Sequence, residues 1–128
     1  MKYLLDSHVL LWLIAEPHKV GPKTIEQLRG SSVEAFVSLA SLWELGLKYN
    51  KGKLPLNTEQ ITNGISALGA QFLGIKLEHI LAFNEVRVEH SDPFDLMLCA
   101  QARSEKMVLV TANSKLLALF PGSIDARI

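Results

Sequence analysis

Hydrophobic and polar positions sort the chain into two kinds of segment. Short, nearly continuous apolar runs occupy residues 2–5, 35–38 and 107–111, with a weaker one at 71–75. Runs of this length are what strands buried on both faces require. Between them, apolar residues return every three or four positions. Leu39, Leu42, Trp43 and Leu47 do so over 39–51, and Ile61, Ile65 and Leu68 over 57–68; that spacing predicts helices. Further helices are predicted over 8–15, 22–29, 77–86, 92–106 and 115–119. Glu16-Pro17 stops the first of these, because the residue before a proline is pushed out of the helical region. Pro22 suits a first helical turn, Asn57 or Thr58 a cap, and Gly30 and Gly69 stops. Strands alternating with helices predict an α/β fold whose parallel sheet is covered on both faces. No repeat or linker interrupts the pattern, so residues 1–128 are expected to form one domain.

Composition narrows the function classes. With 48% apolar and 20% charged residues the chain can bury a core, which excludes a disordered polymer. Lys plus Arg and Asp plus Glu are 13 each, so no global basic excess exists to hold a phosphate backbone. Cys99 is the single cysteine, which suits a reducing compartment. The longest apolar run, 9–15, is too short for the roughly 20 residues of a membrane span. A soluble, cytoplasmic chain without a membrane partner is expected.

Chemistry is sought where parallel sheets place it, beyond the carboxyl ends of the strands. Asp6 follows the first strand, Ser38 ends the second and Asn113 follows the run at 107–111. Glu44 lies on the helix after the second strand, and Asp95 in the first turn of the helix at 92–106. Clustered carboxylates repel one another and are costly to desolvate, so they protonate or recruit a cation. An all-oxygen set suits Mg²⁺ or Mn²⁺ rather than zinc. Each residue also has a plainer reading. Asp6 and Ser7 suit a helix cap, and Glu44 with Lys48 suits a solvated helix pair worth about 0.2–0.5 kcal/mol. Asp92-Pro93-Phe94-Asp95 is a good helix start, with Asp92 at the cap. Capping explains Asp95 less well, because the helix that follows it is apolar on nearly every face.

These residues carry a resemblance. Leu4-Leu5-Asp6-Ser7-His8-Val9-Leu10-Leu11-Trp12 resembles the opening of PIN domains, specifically the VapC-type toxin branch. Ser41-Leu42-Trp43-Glu44-Leu45 resembles the second acidic motif of that branch. His90-Ser91-Asp92-Pro93-Phe94-Asp95 with Ala100-Gln101-Ala102 resembles the third, and Leu109-Val110-Thr111-Ala112-Asn113 the fourth. One such motif is weak; four in order across the chain are specific. The resemblance implies a three-layer α/β/α PIN-like domain around a parallel sheet of about four or five strands. It also implies a Mg²⁺- or Mn²⁺-dependent endoribonuclease that leaves a 5′-phosphate and a 3′-hydroxyl, the toxin of a VapBC-type pair.

Carried over residue by residue, Asp6, Glu44 and Asp95 take the metal-binding and catalytic acidic positions, with Asn113 completing the catalytic set. Asn113 stands where an Asp is usual, which removes one negative charge, and Leu96 stands where many relatives have Arg. Ser7, Thr111 and Asp92 are candidate supporting residues. Lys48, Lys51 and Lys53 form a local basic patch that serves equally as an RNA contact or as a solvated helix end. The implied partners are RNA, a small VapB-like antitoxin whose tail occupies the cleft, and a second copy in a homodimer. The alternative is a catalytically weak PIN domain that only binds RNA or protein, and Asn113 motivates it. A nucleotide-binding protein lacks its glycine-rich loop here, and an aspartyl-nucleophile phosphatase lacks a second Asp two residues after Asp6. Trp12 and Trp43 fall on apolar helical faces and are expected in the core. His8, His18, His79 and His90 show no metal-ligand spacing.

Overall fold

The structure is a computed structural model that describes residues 1–86 and 92–128. His90 and Ser91 of the third motif lie outside the described residues. Five parallel strands form one sheet in the order β3-β2-β1-β4-β5. They are β1 (Lys2–Leu5), β2 (Glu34–Ser38), β3 (Gln71–Leu73), β4 (Val108–Thr111) and β5 (Ile124–Asp125). In register, Leu4 lies beside Phe36 and Leu109, and Leu5 beside Val37 and Val110.

Successive strand residues face opposite sides of a sheet, and here both sides are buried. Leu4, Phe36, Leu73 and Leu109 pack against α5 (Leu77–Phe83), α6 (Pro93–Glu105) and α7 (Ser114–Leu119). Tyr3, Leu5, Val37 and Val110 pack against α1 (Ser7–Ala15), α2 (Pro22–Leu28), α3 (Leu39–Asn50) and α4 (Thr58–Ala67). This is the three-layer α/β/α arrangement, and it explains why the central strands are apolar at consecutive positions. Each fully buried Leu of this core contributes about 1.5–3 kcal/mol. Among the described residues no helix is long and apolar enough to cross a membrane.

Local signals act where the sequence placed them. Asp6 caps α1, Pro22 opens α2, and Asn57 with Gln60 forms a reciprocal capping box on α4. Three readings are corrected. β5 was not foreseen as a strand: two residues are too few for a periodic signal, and only pairing with Val110 and Thr111 makes it one. The helix expected over 77–86 ends at Phe83.

The third correction concerns which face of α3 is buried. The residues buried there are Ala40, Ser41, Glu44 and Leu45, whereas Leu39, Trp43 and Leu47 are 43%, 62% and 37% exposed. The periodicity identified the helix but not its inward side, so Trp43 is a surface residue. Trp12 is half-buried.

The strand order also locates a crevice. The chain leaves β1 for the α1 side of the sheet and leaves the adjacent β4 for the α7 side. Such a reversal opens a ligand cleft beyond the carboxyl ends of the two strands.

Candidate active site

Asp6 sits at this crevice. Its amide continues the sheet ladder by donating to the Val110 carbonyl at 2.9 Å. Its carboxylate is divided between two elements. Oδ1 accepts from the Ser7 hydroxyl at 3.2 Å and the His8 amide at 3.4 Å, while Oδ2 accepts from the Thr111 hydroxyl at 2.5 Å. Asp6 is therefore a cap, but one whose second oxygen is held across the crevice by β4. The Thr111 hydroxyl in turn accepts from the Asn113 amide at 3.0 Å. Only 3% of Asp6 is exposed.

Asp95 is 7% exposed in the first turn of α6. Asp92 caps that helix, its Oδ1 accepting from the amides of Phe94 at 2.9 Å and Asp95 at 3.4 Å. Cys99, one turn further along, reports on both acids. Burial first, then the charge of Asp95, opposed by Arg103, and then the charge of Asp6 push its thiol up to about 11. Asp6 and Asp95, 89 positions apart in the chain, thus stand within electrostatic reach of one buried thiol.

Glu44 approaches from α3. It is 8% exposed, and its Oε2 lies 3.6 Å from Lys48 Nζ. The helix pair expected from sequence is therefore present, but half of it is buried. Glu44 Oε1 is buried with no hydrogen-bond partner among the described residues. An unsatisfied buried carboxylate oxygen is costly and marks a place for a donor or a cation. The start of α6 borders the same space. Glu44, Lys48, Lys51, Lys53, Asp92 and Phe94 line one recess of about 400 Å³. Gly52 brings the lysines together: its φ of 72° reverses the chain, and the Lys53 amide returns to the Lys48 carbonyl at 2.9 Å.

Asn113 differs from the acids. Its Oδ1 caps α7, accepting from the amides of Lys115 at 2.9 Å and Leu116 at 3.4 Å. With His8, Trp12, Lys19 and Arg127 it borders a separate open recess of about 660 Å³.

Two features were not foreseen from the sequence. The Trp43 ring meets Phe94 edge-on, with centroids 5.1 Å apart and planes at 79°. Fully buried His79 ties α5 to α6. Its Nδ1 accepts the Lys76 amide at 3.0 Å, which leaves Nε2 to carry the proton toward Glu105 Oε2 at 2.7 Å. Gln101 joins this clip by donating to the Gly74 carbonyl at 3.3 Å. The His79 hydrogen bond, and then that from Lys76, hold the Glu105 carboxyl below its ordinary value. A histidine spaced to meet a Glu on another helix leaves no local signal.

Among the described residues no three His, Cys, Asp or Glu side chains are gathered into a ready-made metal site. Mg²⁺ does not need one, since it usually binds through one or two carboxylates and keeps several waters. Buried Asp6, Asp95 and Glu44 offer oxygen donors alone, the donor chemistry that Mg²⁺ takes.

A model of the PIN domain family matches residues 3–119. The chain belongs to the PIN domain family. This PIN domain is similar in fold to VapBC2 from Rickettsia felis bound to a DNA fragment from its promoter. That match has 22% identity and a TM-score of 0.70, covering 97% of this chain and 96% of that one. DNA-bound VapBC from Salmonella typhimurium matches with 21% identity, a TM-score of 0.69 and the same two coverages, 97% and 96%. VapBC-1 from nontypeable Haemophilus influenzae matches with 22% identity, a TM-score of 0.64 and again 97% and 96%. No curated protein matches the chain.

Proposed function

We propose that this PIN domain, residues 1–128, is a divalent-metal-dependent endoribonuclease using Mg²⁺ or Mn²⁺, the cytoplasmic toxin of a VapBC-type pair. The observation that carries the reading is that Asp6 and Asp95 are both buried and both lie within electrostatic reach of Cys99. Family membership supports it, since PIN domains are generally nucleases that use divalent metals. Asp6 and Asp95 would hold the ion, with Glu44 beside it. When bound, the ion neutralises charge on the phosphoryl oxygens and acidifies the attacking water. The residues of the chain do the rest. Thr111 and Ser7 keep both oxygens of Asp6 oriented, and Glu44, whose Oε1 has no partner among the described residues, accepts a proton. Lys48, Lys51 and Lys53 hold the phosphate backbone in the recess beside Glu44.

The proposed partners follow the same reading. A small VapB-like antitoxin places its tail in the acidic cleft, which calls for a cationic group there. A second copy covers the exposed Leu77, Ile80 and Leu81 of α5.

The test is incubation with labelled single-stranded RNA and Mn²⁺, with and without chelator. Chelator-sensitive cleavage is expected, reduced about a hundredfold or more in Asp95→Asn. A second reading, an RNA-binding module without cleavage, is favoured by one observation. The oxygen of Asn113 is engaged in capping α7, which leaves fewer groups for the ion. RNA binding with no metal-dependent cleavage would establish that reading instead.

A further inference from the structure

We propose that Phe94, braced by Trp43, forms a nucleobase subsite for single-stranded RNA beside the acidic centre. The inference rests on the nuclease reading above and adds to it how the strand is gripped. Phe94 lies in one recess with Lys48, Lys51, Lys53 and Glu44. Leu47 is shared between this recess and the shallow groove that Trp43 lines, so the indole stands on the rim. Its 62% exposure is unusual for so large an apolar group, and its edge-on contact with half-buried Phe94 leaves part of the indole surface open. Lys51 and Lys53 have no ion-pair partner among the described residues.

Unpaired ammonium groups suit phosphates, and exposed aromatic surface suits unstacked bases. Their combination in one recess is the composition of a single-strand site. A duplex offers no free base face, which selects single-stranded RNA. Phe94 lies between Asp92, the cap of α6, and Asp95, so a base stacked on it sets a neighbouring phosphodiester near the acids. The competing occupant is a second protein chain covering Leu39, Trp43 and Leu47. The lysines across the recess favour the polyanion.

The test uses a fluorescein-labelled single-stranded RNA octamer of mixed sequence, bound in chelator so that binding is separated from cleavage. Phe94→Leu and Trp43→Leu keep an apolar side chain but remove the π face. Each is expected to weaken RNA binding about fivefold or more, with inorganic polyphosphate binding unchanged. The slope of log affinity against log salt stays constant in both, whereas Lys51→Ala lowers it by about 0.7. In a Trp12→Phe background, RNA quenches Trp43 fluorescence. If Phe94→Leu fails to fold, Trp43→Leu at its exposed position carries the same test.

Unchanged RNA affinity in the variants, or no RNA binding by the wild type, overturns the subsite. So does a loss of affinity that tracks a change in oligomeric state by sedimentation, which would assign the face to a protein chain. Cleavage with unaffected affinity removes the subsite and keeps the nuclease. Quenching with variant-specific loss but no cleavage removes the nuclease and keeps the subsite.

Discussion

Thr111→Val is the sharpest perturbation of the site, because it is nearly isosteric and Thr111 is fully buried. One hydroxyl serves two partners: it donates to Asp6 Oδ2 and accepts from the Asn113 amide at 3.0 Å. Valine leaves a buried carboxylate oxygen without its donor and an amide without its acceptor. A hydrogen bond to a charged group contributes about 1.5–3 kcal/mol and a neutral one about 0.5–1.5 kcal/mol. The added methyl returns about 0.8 kcal/mol through burial. The expected net loss is about 1–4 kcal/mol. With a urea slope of about 1–3 kcal/mol per molar, the unfolding midpoint falls by roughly 1 M. Thr111→Ser keeps the hydroxyl and serves as the control, losing only the methyl. Mn²⁺ affinity, measured by titration calorimetry on the folded variants, is expected to drop about tenfold or more in Val and little in Ser, because an unheld carboxylate is a poorer ligand. If Val and Ser unfold at the same urea concentration and bind Mn²⁺ equally, Thr111 does not orient Asp6 and the account of the crevice is wrong.

Two further outcomes are expected. Glu105 is held below its ordinary value of 4.5 by His79 and then Lys76, so the folded state binds its proton less readily than the unfolded chain does. Its stabilising contribution is complete above the unfolded value and is lost as pH falls through the lowered one. Glu105→Gln should therefore flatten the pH dependence of urea stability below about pH 4.5, and an unchanged acid limb would refute the clip. Lys106 ends α6 in the left-handed region at φ 56°, where a side chain is strained. Lys106→Gly should stabilise the protein by about 1 kcal/mol, read as a raised melting temperature; a lowered one would contradict that geometry.

Much of the fold was legible because burial on both sheet faces leaves a direct trace. Consecutive apolar residues at 2–5 and 107–111 need no knowledge of their neighbours to be recognised as central strands. Capping is equally local, and the roles of Asp92 and Asn57 could be read from a few adjacent residues. The inward side of α3 was not local. Its stripe of Leu39, Trp43 and Leu47 is the more apolar one, yet α3 turns Glu44 and Leu45 inward. What decides the rotation of a helix is the surface it packs on, and that surface belongs to other elements. β5 was hidden for a related reason: two residues become a strand only by pairing with β4.

The acids divide the same way. That Asp6 follows a strand, Glu44 lies on a helix and Asp95 lies in a first turn was determined by sequence alone, through periodicity and capping. That Asp6 and Asp95 act on one thiol, that Glu44 keeps a bare buried oxygen, and that Asn113 faces its own helix were decided only by the tertiary structure. Backbone periodicity is set over a few residues by local sterics and hydrogen bonding. The distance between two carboxylates far apart in the chain is set by strand order and helix packing, which no local pattern encodes.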